Sequence, residues 1–123
     1  MKTILIVDDS ATIRRMVMAS LRQLAGVRFV QAANGLEAIE QLMLTPIDLM
    51  ILDLNMPDMH GLEVVQFVRS HQAYCALPIA VLTTRSDDGG REQVLGAGAS
   101  LYLTKPFDPQ ALAGRIGELL EAV

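Results

Sequence analysis

The chain is nearly without cysteine. Cys75 is the only one in 123 residues, so no internal disulfide can form and a reducing cytoplasm is the natural setting. Nothing beside Cys75 resembles a thiolate-stabilising partner, which argues against a catalytic role for it. Long apolar runs are missing too: none approaches the roughly 20 residues needed to cross a bilayer. Met1-Lys2-Thr3-Ile4 leads straight into a strand-like run ending in two acids, whereas a secretory signal needs a longer apolar region and a small-residue cleavage site. Basic residues are in deficit, and the net charge of −4 argues against the basic stripe of a nucleic-acid footprint. There are no repeats, linkers or low-complexity segments. No Walker loop or Rossmann fingerprint supplies a nucleotide cradle.

What the chain does have is a 51% hydrophobic composition, enough for one compact domain with a single core. The central stretch is Leu49-Met50-Ile51-Leu52-Asp53-Leu54-Asn55-Met56-Pro57. Four apolar residues before a turn read as a strand, Leu49 to Leu52, buried on both faces. An unpaired charge cannot lie inside such a strand, so Asp53 belongs at its end, on the rim of a sheet.

The same grammar recurs along the chain. Ile4-Leu5-Ile6-Val7 ends in Asp8-Asp9, and Ser10 can cap a helix from Ala11 to about Ala25, closed by Gly26. Its apolar face is expected from Ile13, Met16, Val17, Leu21 and Leu24, with Arg14, Arg15 and Arg22 between them. Val27 to Ala32 reads as a second, more exposed strand. Asn34-Gly35-Leu36-Glu37 resembles a capping box, and Leu36, Ile39, Leu42 and Met43 continue the helix to about Leu44, before Pro46. Beyond Gly61, a third helix carries Leu62, Val65, Phe67 and Val68 to about His71. Pro78 to Leu82 is a fourth strand ending at Thr83-Thr84. Ser86-Asp87-Asp88 can cap a fourth helix to about Leu95, weakened by Gly89 and Gly90 at roughly 1 kcal/mol each. Leu101-Tyr102-Leu103 ends at Thr104-Lys105-Pro106. Asp108-Pro109 opens the last helix, about Gln110 to Glu121, with Leu112, Ile116, Leu119 and Leu120 inward.

Five strand–helix pairs in strict alternation predict an α/β fold: a parallel sheet with helices on both faces. All strand carboxyl ends then share one edge, where ligands bind. Asp8, Asp9, Asp53, Thr83 and Lys105 all fall there. Three crowded carboxylates call for a counter-charge, and Mg²⁺ suits a few oxygen ligands plus water. Acids, a dication, a hydroxyl and a lysine together suit a phosphoryl group. A carboxylate can itself be the nucleophile, and Asp53 is the best placed. With no nucleotide cradle, the donor should be another protein or a small molecule.

Val7-Asp8-Asp9-Ser10, Leu52-Asp53-Leu54-Asn55-Met56-Pro57 with Gly61, Leu82-Thr83 and Thr104-Lys105-Pro106-Phe107 together resemble a response-regulator receiver domain, over the whole of residues 1–123. The resemblance implies a flavodoxin-like, doubly wound five-stranded parallel sheet of order 2-1-3-4-5 with five helices. It implies one domain without an output domain, in the cytoplasm. Asp53 would accept a phosphoryl group from a histidine kinase. Asp8, Asp9, Asp53 and the backbone carbonyl of Asn55 would hold Mg²⁺. Thr83 would hydrogen-bond the phosphate and Lys105 would pair with it. Tyr102 would turn inward, coupling the site to the face of helix four, strand five and helix five. The Lys105–Pro106 bond would be cis.

Asp9-Ser10-Ala11-Thr12-Ile13-Arg14-Arg15 looks like the chemotaxis-type subgroup, so a flagellar motor switch or a similar signalling protein is the expected target of a monomer that binds neither nucleic acid nor membrane. Thr84 stands where the family usually has a small residue, and Arg85 where phosphate lifetime is tuned. Catalysis is expected only of the protein's own phosphorylation and dephosphorylation. The alternatives are a small Mg²⁺-dependent aspartyl-phosphate phosphatase or phosphotransferase, a phosphate-sink receiver without dedicated output, and a receiver-like scaffold. Haloacid-dehalogenase-type enzymes usually carry a second aspartate where Asn55 stands. His60 and His71 read as surface residues.

Overall fold

The computed structural model describes residues 1–56, 58–84 and 88–121. Strands and helices alternate without exception: β1 (Lys2–Val7), α1 (Ala11–Leu21), β2 (Val27–Ala32), α2 (Gly35–Leu44), β3 (Leu49–Leu52), α3 (Gly61–Ser70), β4 (Ile79–Thr83), α4 (Asp88–Ala97), β5 (Leu101–Thr104) and α5 (Pro109–Glu121). All pairings are parallel and the order is β2-β1-β3-β4-β5, as the resemblance implied.

The two-residue period of the strands divides the core into two layers. Ile4, Ile6, Ile51 and Leu82 face α1 and α5, where Val17, Leu21, Leu112 and Ile116 meet them. Leu5, Val7, Met50, Leu52 and Val81 face the other way, onto Leu42 of α2, Val64, Val65 and Val68 of α3, and Val94 of α4. Burying each such side chain contributes roughly 1.5–3 kcal/mol, and both faces of the sheet are covered. β2 lies at an edge and is less buried than β1.

Two helices depart from the sequence expectation. α1 stops at Leu21 rather than near Ala25, because the chain must turn back to start β2 beside β1. Gly26 makes that turn at φ 72°, and its carbonyl accepts the Lys2 N–H at 2.8 Å. Met16, expected inward, is half exposed, and Val17, Met18 and Leu21 are the buried apolar residues of the helix. In α2 the fully buried residues are Gly35, Ala38 and Leu42, so Leu42 alone of the expected apolar face is fully buried. Leu36 is 57% exposed and Met43 is 65% exposed. At the start of the helix the approach is close: a Cβ on Gly35 would stand 2.7 Å from Met59 Cβ, and Gly35 rather than Leu36 faces inward there.

Three helix starts match their sequence signals. Ser10 accepts the Ile13 N–H at 3.2 Å, Asn34 accepts the Glu37 N–H at 2.9 Å, and Asp108 accepts the Ala111 N–H at 3.2 Å where Pro109 opens α5. Ser86 and Asp87 lie outside the described residues. Among the described residues no helix is long and apolar enough to cross a membrane.

Candidate functional site

Register builds the site. Val7 is paired with Leu52, and Leu52 with Val81, so the residues that follow β1 and β3 emerge side by side on the carboxyl edge. The Asp53 N–H continues the ladder to the Val7 carbonyl at 2.9 Å. Asp8 follows Val7 and Asp53 follows Leu52. Both are buried, at 4% and 5% exposure, while Asp9 is exposed. One carboxylate oxygen from each of Asp8, Asp9 and Asp53 can be chosen so that all lie within 4.8 Å of one another.

Lys105 answers this charge from β5's end. Its backbone N–H is bonded to the Thr83 carbonyl at 2.8 Å, which fixes where the side chain starts. Nζ then reaches Asp8 Oδ2 at 2.8 Å and stands 3.7 Å from Asp53 Oδ2. The Lys105–Pro106 peptide bond is cis. Three carboxylates against one ammonium leave two formal negative charges. The donors are all hard oxygens, so the set fits a divalent cation of the Mg²⁺ type.

Asn55 joins β3's end to β4's end. Its N–H donates to Asp53 Oδ1 at 3.3 Å, and its Nδ2 lies 3.4 Å from the buried Thr83 Oγ1. Burial pushes the Asp53 carboxyl above its ordinary pKa. The Lys105 ammonium pulls it down, Asp8 raises it, the Asn55 N–H lowers it and Asp9 raises it again, and the net direction is upward. The site therefore holds a carboxylate whose charge is in demand of neutralisation.

Thr84 is exposed. Tyr102 is half-buried on the layer facing α3 and α4. Arg85 lies outside the described residues.

Residues 4–117 match the model of the response regulator receiver domain. The chain belongs to that family.

Relatives extend the likeness over almost the full length. A chemotaxis protein CheY homolog of Campylobacter jejuni is 38% identical over 121 residues, covering 95% of this chain and 91% of its own. Chemotaxis protein CheY1 of Helicobacter pylori is also 38% identical, covering 95% of each chain. The solved structure of the chemotaxis response regulator CheY4 of Vibrio cholerae superposes with a TM-score of 0.88 at 37% identity, covering 97% of this chain and 98% of that one. In sequence and fold this receiver domain is similar to these CheY-like chemotaxis proteins.

Three contributions at this edge escaped sequence reasoning. Asp58 caps α2 from a distance: its carboxylate accepts the Gly35 N–H at 3.2 Å and the Leu36 N–H at 3.1 Å. Twenty-odd residues separate donor and acceptor, so no local pattern signals it. His60, read as an ordinary surface residue, caps α3, its Nδ1 accepting the Leu62 N–H at 3.2 Å. Arg14, read as part of α1's polar face, donates through Nη1 to the Asp8 carbonyl.

Proposed function

We propose that this protein is a phosphoacceptor switch of a two-component relay, taking a phosphoryl group on Asp53 from a histidine kinase in the presence of Mg²⁺. The observation that carries the reading is the convergence of Asp8, Asp9 and Asp53 within 4.8 Å, bridged by Lys105. An Asp53 carboxylate oxygen attacks phosphorus, the bond from phosphorus to the kinase histidine nitrogen breaks, and an acyl phosphate forms. Bound Mg²⁺, held by Asp8, Asp9, Asp53 and the Asn55 carbonyl, would supply the charge neutralisation that phosphoryl transfer demands.

The chain's own groups do the rest. Lys105 pairs with a phosphate oxygen once Asp53 carries the group. Thr83, at the base of the site, hydrogen-bonds another. Asn55 keeps the acceptor oxygen aimed outward through its N–H. Tyr102 turns further into the layer beside α4, and this alters the α4-β5-α5 face that a target protein reads, a flagellar motor switch being the target class that the chemotaxis-type resemblance of residues Asp9 to Arg15 implies. In this reading residues 4–117 form a cytoplasmic, monomeric receiver whose turnover is limited to its own acyl phosphate.

Transfer of labelled phosphate from a kinase phosphohistidine is expected to require Mg²⁺ and to vanish in Asp53→Asn. Label persisting on that variant, or multiple turnover of a generic phosphate ester, refutes the reading.

A further inference from the structure

Of the three arginines in or capping α1, Arg14 alone bonds a residue of the acidic site. It is half-buried, and its guanidinium bonds in two directions. Nε donates to Gln31 Oε1 on the edge strand β2 at 2.9 Å, and Nη1 donates to the backbone carbonyl of Asp8. The other polar groups of Asp8 are also engaged. Its N–H bonds the Ala32 carbonyl at 3.1 Å, Oδ1 accepts the Ser10 N–H at 2.9 Å and Oδ2 accepts Lys105 Nζ at 2.8 Å.

The carbonyl tie reaches further than Asp8. A peptide unit is planar, so holding the Asp8 carbonyl also sets the plane that carries the nitrogen of Asp9. Asp9 is the exposed member of the acid cluster, and its carboxylate has no hydrogen-bond or ion-pair partner among the described residues. The backbone that carries it is therefore one determinant of its aim. Arg14, braced by Gln31, controls one end of that backbone.

We propose that Arg14 is a positioning residue for the carboxylate cluster: by fixing the Asp8–Asp9 peptide plane, it keeps the Asp9 carboxylate directed at Asp53, ready to share a divalent cation. The proposal rests on the metal-dependent reading above. Arginine is suited to the task because its rigid fork reaches two acceptors, one on β2 and one just past the end of β1, whereas lysine offers a single point charge. Two effects of Arg14 oppose one another. Its charge disfavours a nearby cation, and this repulsion weakens with salt. Its positioning favours binding and does not. Outer groups that orient metal ligands typically change affinity by about 10–100-fold, more than a screened charge at this distance contributes. Positioning should therefore dominate.

The test is Mg²⁺ affinity, read by NMR titration or calorimetry on the wild type, Arg14→Ala, Arg14→Lys and Gln31→Ala, with thermal melts in chelator beside each. Arg14→Ala is expected to weaken Mg²⁺ by about 10-fold or more, within the range for such orienting groups. Arg14→Lys is expected to stay weaker than wild type although the charge is kept, and Gln31→Ala to fall between Arg14→Ala and wild type. Gln31→Ala leaves the Asp8 contact in place, so it reports even if Arg14→Ala folds poorly. The loss should persist in 0.5 M salt, roughly, where charge effects at this range are screened. Unchanged or tighter binding by Arg14→Ala, or full rescue by lysine, overturns the proposal while leaving the phosphoacceptor reading intact. Failure of the wild type itself to bind millimolar Mg²⁺ overturns both.

Discussion

Lys105 is held more closely by Asp8 than by the acceptor carboxylate: Nζ is 2.8 Å from Asp8 Oδ2 and 3.7 Å from Asp53 Oδ2. With 12% of its side chain exposed, the lysine is a mostly buried counter-charge for two buried acids. Lys105→Met would leave the carboxylates facing only one another. Breaking a fully buried pair costs roughly 3–5 kcal/mol, and residual solvent lowers that here to about 2 kcal/mol. Urea unfolding in chelator should show this deficit. Adding Mg²⁺ should narrow it, since the dication takes over the missing charge. A deficit identical with and without Mg²⁺ would reject this role.

Asp53 gives a pH dependence of definite sign. Its carboxyl is raised by burial above the value of 3.8 that it has when unfolded, despite Lys105. Between 3.8 and the raised value the folded state binds more protons than the unfolded one, so this group's contribution to stability falls as pH rises through that window. At neutral pH the ionised Asp53 is therefore a net burden on the metal-free fold. Asp53→Asn should raise the melting temperature in chelator by about 2–5 °C, the shift that about 1 kcal/mol gives a domain of this size. The gain should disappear toward acid pH, where wild-type Asp53 is protonated as well. Saturating Mg²⁺ should reverse the order, because only the wild type keeps the full ligand set.

Much of the fold and the site was legible because the signals are local. Apolar runs ending in Asp8, Asp53, Thr83 and Lys105 mark strand ends, and strict alternation with helices brings those ends to one edge. Asn34 and Ser10 announced their helices by sequence alone. What stayed hidden depends on residues far apart in the chain. The approach of Met59 puts Gly35 rather than Leu36 on the inward side where α2 begins, while Leu42 further along is buried as its spacing predicts. Arg14 and Asp58 look like surface charges until the neighbouring strand and loop supply their partners.

Asp58 ties the loop after the acceptor strand to the start of α2. Its exposed carboxyl lies below its ordinary pKa. What burial it has works to raise it, and the N–H groups of Leu36 and Gly35, with two nearer backbone donors, outweigh that. A depressed carboxyl stabilises the fold above its unfolded value of 3.8, and that contribution is lost as pH falls through the lower folded value. Asp58→Ala should then speed hydrogen exchange at Gly35 and Leu36 without altering the central strands. It should also flatten the acid limb of the stability profile below pH 3.8. Unaltered exchange at those two amides would mean that water replaces the cap fully.

Two glycines should respond to alanine in opposite directions. A Cβ on Gly61 would lie 2.6 Å from Leu54 Cα and 2.8 Å from the Asp53 carbonyl oxygen, against backbone that cannot rotate aside. The Gly61 N–H is bonded to the Leu54 carbonyl at 2.9 Å, so the close approach is part of how the loop after Asp53 closes onto α3. Gly61→Ala must push that loop outward and should cost about 1–3 kcal/mol, as overpacking does. Because Asn55 rides on the same loop, phosphorylation should slow as well. Gly114, on the exposed side of α5, has open space where a Cβ would stand. Alanine there relieves the backbone entropy of a helical glycine and should stabilise by about 0.5–1 kcal/mol with no change in phosphorylation. Thermal melts and phosphorylation rates on the two variants separate the cases. The contrast tests a steric claim: what decides the sign at each position is whether the new methyl group meets main chain or water.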